Sequence, residues 1–213
     1  MRTYEKIETV FNRDIEGTKR LILGDFRNKT VEFLKDNVWQ FTEKIDGTNI
    51  RIMWDGHTIT FGGRTERANI PAHLMNYLNK KFINAETEEL FEQTFGEKEV
   101  ILFGEGYGAK IQGVGASYRL DVSFILFDVL ICDNYQPREC VEDIAKMFDL
   151  EIVPIVYTGT INGAIDYVRS HPKSTIGEAM MEGVVGRPLV EMKDRCGNRM
   201  IVKIKYNDFK EFA

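Results

Sequence analysis

The sequence predicts a mixed α/β or α+β domain built on antiparallel hairpins, and three stretches carry that prediction. Ile50, Ile52 and Trp54 alternate with Asn49, Arg51 and Met53, run into Asp55-Gly56 and return through Ile59 and Phe61. That is a strand with one buried face, a hairpin turn and a second strand. Two segments of helical period follow, with Leu74, Tyr77, Leu78 and then Leu90, Phe91, Phe95 as core-facing stripes. A second hairpin closes the chain, turning near Cys196-Gly197-Asn198.

In chain order, residues 1–36 are mixed in charge, with short elements at Leu21-Ile22-Leu23-Gly24 and at Val31 to Leu34, and no assigned chemistry. Val38 to Glu43 reads as a strand delivering Lys44, and Gly62-Gly63-Arg64-Thr65 ends the first hairpin on a permissive backbone that leaves Arg64 able to reach a ligand. Asn69 is a candidate cap and Pro71 suits the first turn of a helix to about Phe82; a second helix runs from about Glu86 to Phe95.

Ahead of a glycine-rich loop, Ile111-Gln112-Gly113-Val114-Gly115, Val100 to Phe103 is a short strand opening onto a looped segment, Gly104-Glu105-Gly106-Tyr107-Gly108-Ala109. Its letters match a dinucleotide fingerprint, but an acid sits where pyrophosphate would approach and no amphipathic helix follows. Asp121 to Cys132 is apolar enough to need cover on both faces. A helix from Gln136-Pro137-Arg138 to about Phe148 precedes a strand, Glu151 to Tyr157, placed at an edge by Pro154. Ile161 to Ser170 is helical, and Met181 to Arg187 and Met200 to Tyr206 form the last hairpin, with Lys203 and Lys205 on one face and Met200, Val202 and Ile204 on the other.

Composition narrows the class. With 213 residues, 43% hydrophobic and 29% charged, the chain matches a soluble globular protein. No apolar run approaches the ~20 residues that cross a bilayer, so no membrane partner is expected. The first residues lack the apolar core and small-residue cleavage site of a signal peptide. Cys132, Cys140 and Cys196 are scattered, as are His57, His73 and His171. Neither set has the spacing of a disulfide framework, zinc site or histidine-based triad, and a reducing, cytoplasmic setting is expected. A net charge of −5 argues against a uniformly basic surface, although a local cationic groove can dominate its own near field.

Chemistry centres on Phe41-Thr42-Glu43-Lys44-Ile45-Asp46-Gly47-Thr48-Asn49. A lysine at the end of an apolar strand is either a strand-end charge in water, followed by an Asp46-Gly47 turn, or a nucleophile. Covalent attack needs an uncharged amine, which burial or a neighbouring cation favours. The order of the remaining features decides between the two: Lys44-x-Asp46-Gly47, Gly63-Arg64-Thr65, Gly104-Glu105, Phe127-Asp128, Glu182-Gly183-Val184-Val185 and Lys203-x-Lys205.

This succession resembles the covalent nucleotidyltransferase superfamily of DNA ligases, RNA ligases and messenger-RNA capping enzymes. It is most similar to ATP-dependent RNA ligases of the RNA ligase 2-like kind, over about residues 38–209. The resemblance implies an α+β nucleotidyltransferase (ATP-grasp-like ligase core) fold of largely antiparallel sheets flanked by helices, with the nucleotide in a cleft. It implies ATP as substrate, Mg²⁺ or Mn²⁺ as metal and a covalent lysyl-AMP at Lys44. AMP would pass to a 5′-phosphate end that is then sealed to a 3′-hydroxyl, with RNA the favoured nucleic acid.

Implied roles are orientation of the amine or a metal-bound water for Asp46, ribose or phosphate contacts for Asn49 and Arg64, and a ribose hydroxyl for Glu105. Phe127 would stack on adenine and Glu182 would hold the metal. Lys203 and Lys205 would neutralise the α-phosphate and favour the uncharged form of Lys44. Glu43, Ile45 and Gly47 join the nucleotide-binding set. The sequence is expected to form a single adenylyltransferase domain, 1–213, with 1–36 packed on it as an N-terminal extension and no C-terminal OB-fold or helical domain. That expectation favours adenylation over unaided sealing, and a monomer that could draw on a partner for the missing domain. A GTP-dependent capping-type guanylyltransferase and a non-catalytic nucleic-acid-binding relic of the same fold are the alternatives.

Overall fold

Pro154 divides what the sequence presents as one strand. In the computed structural model, which describes residues 2–210, Glu151–Ile152 and Ile155–Gly159 lie at the edges of two different sheets. The contacts fall into two compact units, a first of Met1–Glu5 and Asp46–Val153 and a second of Lys6–Ile45 and Pro154–Ala213. Proline has no N–H to give a ladder, so the chain changes sheets where that loss costs least. The other two boundaries fall between Glu5 and Lys6 and between Ile45 and Asp46, the latter inside the lysine motif.

The second unit begins with β1 (Glu8–Thr9), β2 (Phe11–Arg13), β3 (Leu21–Phe26), α1 (Lys29–Phe33) and β4 (Trp39–Glu43). β2 and β3 form their own antiparallel pair, and α1 starts where Asn28 Oδ1 accepts the N–H groups of Thr30 and Val31.

The first unit follows with β5 (Thr48–Trp54), β6 (Ile59–Gly63), α2 (Ala72–Phe82), α3 (Ala85–Phe95), β7 (Val100–Gly108), α4 (Gly115–Tyr118), β8 (Val122–Ile131), β9 (Asn134–Tyr135), α5 (Arg138–Met147) and β10 (Glu151–Ile152). Its sheet runs β10-β8-β7-β5-β6, antiparallel except for β10 beside β8, with β9 paired to β8. Ile50, Ile52, Trp54, Leu102 and Leu126 pack from the sheet onto Leu74, Leu78 and Phe82 of α2, Phe91 of α3 and Ile144 of α5.

β11 (Ile155–Gly159), α6 (Ile161–Arg169), β12 (Gly183–Pro188), β13 (Val202–Lys205) and α7 (Tyr206–Phe209) return to the second unit. There the sheet order is β1-β13-β12-β4-β11, antiparallel except for β1 with β13. Trp39, Phe41, Val184, Val202 and Ile204 meet α6 through Ile161, Ala164 and Val168. The architecture is thus α+β, largely antiparallel sheets flanked by helices.

Several local expectations change. The glycines after Phe103 do not make a loop: they lie inside the nine-residue β7. A Cβ at Gly104 would enter the Phe124 ring, and one at Gly106 would enter the Leu74 side chain, so these glycines let neighbouring side chains close over the strand. Pro71, not Asn69, occupies the cap position of α2 and makes no side-chain cap bond; α3 is capped by Asn84, which accepts the Thr87 N–H. Part of the expected N-terminal extension is integral to a sheet, since Glu8 and Thr9 register with Val202 and Lys203.

Charge is divided unevenly. Of the chain's 28 Lys and Arg and 33 Asp and Glu, the second unit holds 17 and 14, a net of +3, and the first 11 and 19, a net of −8. The overall −5 therefore hides a cationic unit that contains Lys44.

Candidate active site

In the second unit, strand alternation puts Lys44 on the Gln40 and Thr42 face of β4, opposite buried Trp39 and Phe41. The Lys44 N–H donates to Gly183 O at 2.9 Å, which sets the end of β4 beside the start of β12. Lys44 Nζ then reaches Glu182 Oε2 at 2.6 Å, and Lys205 Nζ reaches Glu182 Oε1 at 2.6 Å. One carboxylate thus joins two ammonium groups in a cluster of net charge +1. All three side chains are partly buried, at 27%, 15% and 32% exposure for Lys44, Glu182 and Lys205.

The same face continues along the sheet. Val185 registers with both Lys203 and Thr42, and Arg187 with Gln40. Lys203 and Lys205 share a face of β13 because side chains alternate, and Val202 and Ile204 turn into the core. Arg187, to which the sequence reading assigned no role, joins this row. Its signal was the period-two spacing from Gly183 and Val185. Placement of the second lysine next to the nucleophile candidate comes from the antiparallel β12–β13 pair, in which Gly183 registers with Lys205.

Glu43 points the other way. Its carboxylate is 1% exposed on the core side of β4, where it accepts from Ser174 Oγ at 2.5 Å, Thr175 N at 2.9 Å and Thr175 Oγ1 at 2.6 Å. The side chain does not share the Lys44 face, and both its oxygens are engaged by Ser174 and Thr175. Burial first and the Glu43 charge second push the Tyr167 phenol above its ordinary value. Ile45 is buried.

The first unit gathers most of the remaining predicted residues. Asn49 of β5 stands directly opposite Glu105 of β7, so the two side chains share a face. Asn49 Oδ1 is buried and has no hydrogen-bond partner among the described residues. Such an atom is costly to leave unmade, which marks it as a place for a ligand's donor. Gly47 lies against β7: a Cβ there would strike Gly106 O and come within 2.7 Å of Glu105 Cγ. Gln112 Nε2 donates to Gly47 O at 3.0 Å and Tyr118 Oη accepts the Asp46 N–H at 3.4 Å, so the Asp46-Gly47 backbone is held from two sides.

Arg64 follows Gly63, which pairs with Ile50; it therefore stands level with Asn49, exposed at the end of β6. Phe127 is the extra residue of a β-bulge, because Phe103 pairs with Asp128 and Gly104 with Leu126. Its ring meets Tyr4 edge-on at 5.0 Å, while Tyr4 Oη donates to buried Asp128 at 2.9 Å. Arg51, on the Asn49 face, is buried at 2% exposure and donates to Gly63 O and Arg2 O. Gly62 makes room for it, since a Cβ there would fall 2.7 Å from the guanidinium.

Among the described residues no group of three or more His, Cys, Asp or Glu could hold a metal by itself, and no helix is long and apolar enough to cross a membrane.

A family model, RNA ligase, matches residues 37–205. The chain belongs to the RNA ligase family. That span contains every element of the ordered constellation and places the chain in the nucleotidyltransferase superfamily. No curated protein sequence matches at a significant level. Among solved structures, a Naegleria gruberi RNA ligase variant with ATP and Mn is similar at 19% identity and TM-score 0.65, covering 86% of this chain and 53% of that one. A second variant, with AMP and Mn, gives 19% identity and TM-score 0.68 over 100% and 58%. The Naegleria gruberi ligase with PPi gives 19% and 0.64 over 98% and 63%. At such identities the likeness is one of fold, and the chain spans somewhat over half the length of these ligases.

Proposed function

We propose that this RNA ligase family member is an ATP-dependent polynucleotide ligase, with RNA the favoured substrate, that carries AMP on Lys44. The observation that supports this most is the pair of lysines held on one carboxylate, Lys44 and Lys205 on Glu182, at a strand end of a net cationic unit. The presence of ATP, AMP, Mn and PPi in the Naegleria gruberi ligases supports ATP as the nucleotide and pyrophosphate as the leaving group.

Lys44 Nζ attacks the α-phosphorus of ATP. The N–P bond forms as the bond from that phosphorus to the β-phosphate oxygen breaks, and pyrophosphate leaves with the electron pair. Nζ sheds two protons to water, one from the ammonium that rests 2.6 Å from Glu182 Oε2 before it attacks and one as the N–P bond forms. Lys205 and Lys203 bring positive charge to the phosphate, and alignment and neutralisation are most of what such a transfer needs. An oxygen of a 5′-phosphate end then attacks the same phosphorus, the N–P bond breaks, and the leaving nitrogen takes a proton from water to restore the amine. A 3′-hydroxyl attacks the activated 5′-phosphate, the phosphoanhydride bond breaks so that AMP leaves with the electron pair, and the hydroxyl proton passes to water.

Asn49, Arg64 and Glu105 are assigned to ribose and phosphate, and Phe127 to the base. Arginine's planar fork suits phosphate oxygens better than a point charge. Glu182 is the hard-oxygen residue that would hold Mg²⁺ or Mn²⁺, in the mode of one carboxylate completed by substrate phosphates and water. When bound, the cation would offset charge on the phosphate oxygens. The sequence expectations of a cytoplasmic, monomeric protein belong to this proposal.

The deciding experiment incubates the chain with α-phosphate-labelled ATP or GTP and Mg²⁺ or Mn²⁺, then adds 5′-phosphorylated nicked duplexes with RNA or DNA 3′ ends. Label on the wild-type protein from ATP, lost in Lys44→Ala and chased to an RNA 5′ end, is the expected result. No label across metals and pH, or equal label in Lys44→Ala, defeats the proposal. Preference for GTP would favour the capping-type alternative.

A further inference from the structure

Glu43 is a buried carboxylate that the proposed chemistry does not use. It accepts three hydrogen bonds, all from neutral donors, and all three come from Ser174 and Thr175. Carboxylates are seldom buried unless their partners repay the lost hydration, so a site built this way constrains something.

What it constrains is the approach to Glu182. Residues 172–181 form a closed loop: Met181 N donates to Pro172 O at 2.9 Å, Ser174 N donates to Ala179 O at 2.8 Å, and Lys173 pairs with Met180. Ser174 Oγ also accepts the Ile176 N–H at 3.2 Å, which fixes its hydroxyl toward Glu43. Glu182 is the next residue after this loop. On the other side, Glu43 immediately precedes Lys44. One carboxylate therefore ties the segment that delivers Glu182 to the strand that delivers Lys44. Beside it stand the ladder bond from Lys44 N to Gly183 O and the register of Glu43 with Val184, which join the two strands but not the 172–181 loop.

We infer that Glu43 is a positioning residue, which sets the Lys44–Glu182 geometry by clamping the 172–181 loop through Ser174 and Thr175; the inference rests on the lysyl-AMP reading of the same site. Glu43→Gln keeps the shape and, with its amide oxygen toward Thr175 and its nitrogen toward the Ser174 hydroxyl, replaces three charge-assisted bonds by weaker neutral ones and reverses the one to Ser174. Displacement of a reacting group by about 1 Å can cost about 10²-fold in rate, so loosening the clamp acts on the chemical step rather than on nucleotide binding.

The test compares wild type, Glu43→Gln, Ser174→Ala and Thr175→Val by three readouts. These are kcat and KM for labelling by ATP, hydrogen exchange of the 173–181 amides, and acylation of Lys44 by an amine reagent relative to exposed Lys6, read by peptide mass spectrometry. Expected in Glu43→Gln are faster loop exchange, a changed Lys44-to-Lys6 acylation ratio and a roughly 10-fold lower kcat at unchanged KM. Thr175→Val should move all three the same way by less, and carries the test if Glu43→Gln does not fold. A raised KM with unaltered kcat and acylation would overturn the inference in favour of direct nucleotide binding. Unaltered loop exchange and acylation would overturn it outright. Absence of label on wild type would defeat the ligase reading alone, because exchange and acylation still decide whether the clamp sets Lys44.

Discussion

Lys44 and Lys205 share one counter-ion: each Nζ lies 2.6 Å from a different oxygen of Glu182. The sequence leads one to expect an amine beside a bed of positive charge. The structure inserts a carboxylate between them, so the two ammonium groups are held near each other without facing each other directly.

Removing either lysine should therefore be unequal in effect. Lys44→Ala should abolish covalent AMP, and Lys205→Ala should slow its formation by about 10²–10³-fold, the cost of losing one group aimed at developing charge. Initial rates of label incorporation separate the two. An unslowed Lys205→Ala would remove that residue from the phosphate site.

Gly47→Ala tests the close approach at β7. A methyl there would collide with Gly106 O and crowd Glu105 Cγ, and backbone cannot yield as a flexible side chain can. Overpacking of this kind costs about 1–3 kcal/mol. Urea denaturation should show the loss, and AMP labelling should fall further than stability alone explains.

Glu105→Ala should lower labelling by ATP roughly 10-fold while leaving labelling by 2′-deoxy-ATP and 3′-deoxy-ATP less affected for the hydroxyl it contacts, since a hydrogen bond to a charged group is worth about 1.5–3 kcal/mol. Asn49→Ala, which removes the unpartnered Oδ1 on the same face, should weaken ATP binding without a fold penalty of similar size. Equal losses with all three nucleotides would displace Glu105 from the ribose.

Acid stability should report the turns. Asp55 accepts the Thr58 and His57 N–H groups, which hold its carboxyl below the ordinary range; at Asp194 the Asn198 side chain acts first, with backbone donors beside it. Because the folded value lies below the unfolded one, the stabilisation is present above about pH 3.9 and is lost as pH falls through the lowered value. Carboxyl NMR titrations should place both groups below 3.9, and the denaturation midpoint of Asp55→Asn should depend less on pH in that window.

Much of this was readable before any coordinates. Period-two alternation fixed the core face of β5 and the shared face of Lys203 and Lys205, because each pattern is local and repeats every second residue. Asp55-Gly56 announced its hairpin, and Gly56 has the positive φ of +99° that such a turn needs. Local pattern failed where distant partners decide. Glycines 104 and 106 read as a loop because the rings and methyl groups that close over them come from β8 and α2. The strand around Pro154 read as one because nothing in seven residues says that its halves join different sheets.

The sequence by itself determined the ordered constellation of motifs and the family it belongs to, since the ordered motifs, the strand period and the turn residues are properties of neighbours along the chain. Only the tertiary structure decided that Glu182 stands between Lys44 and Lys205, that Glu43 turns away to hold Ser174 and Thr175, and that a net acidic chain keeps its excess of cations in the unit bearing Lys44. The physical reason is that hydrogen bonds and ion pairs act over a few ångströms of space. The Lys44–Glu182 and Glu43–Ser174 pairings span 138 and 131 residues of sequence, and the register of β4 with β12 brings their segments within reach.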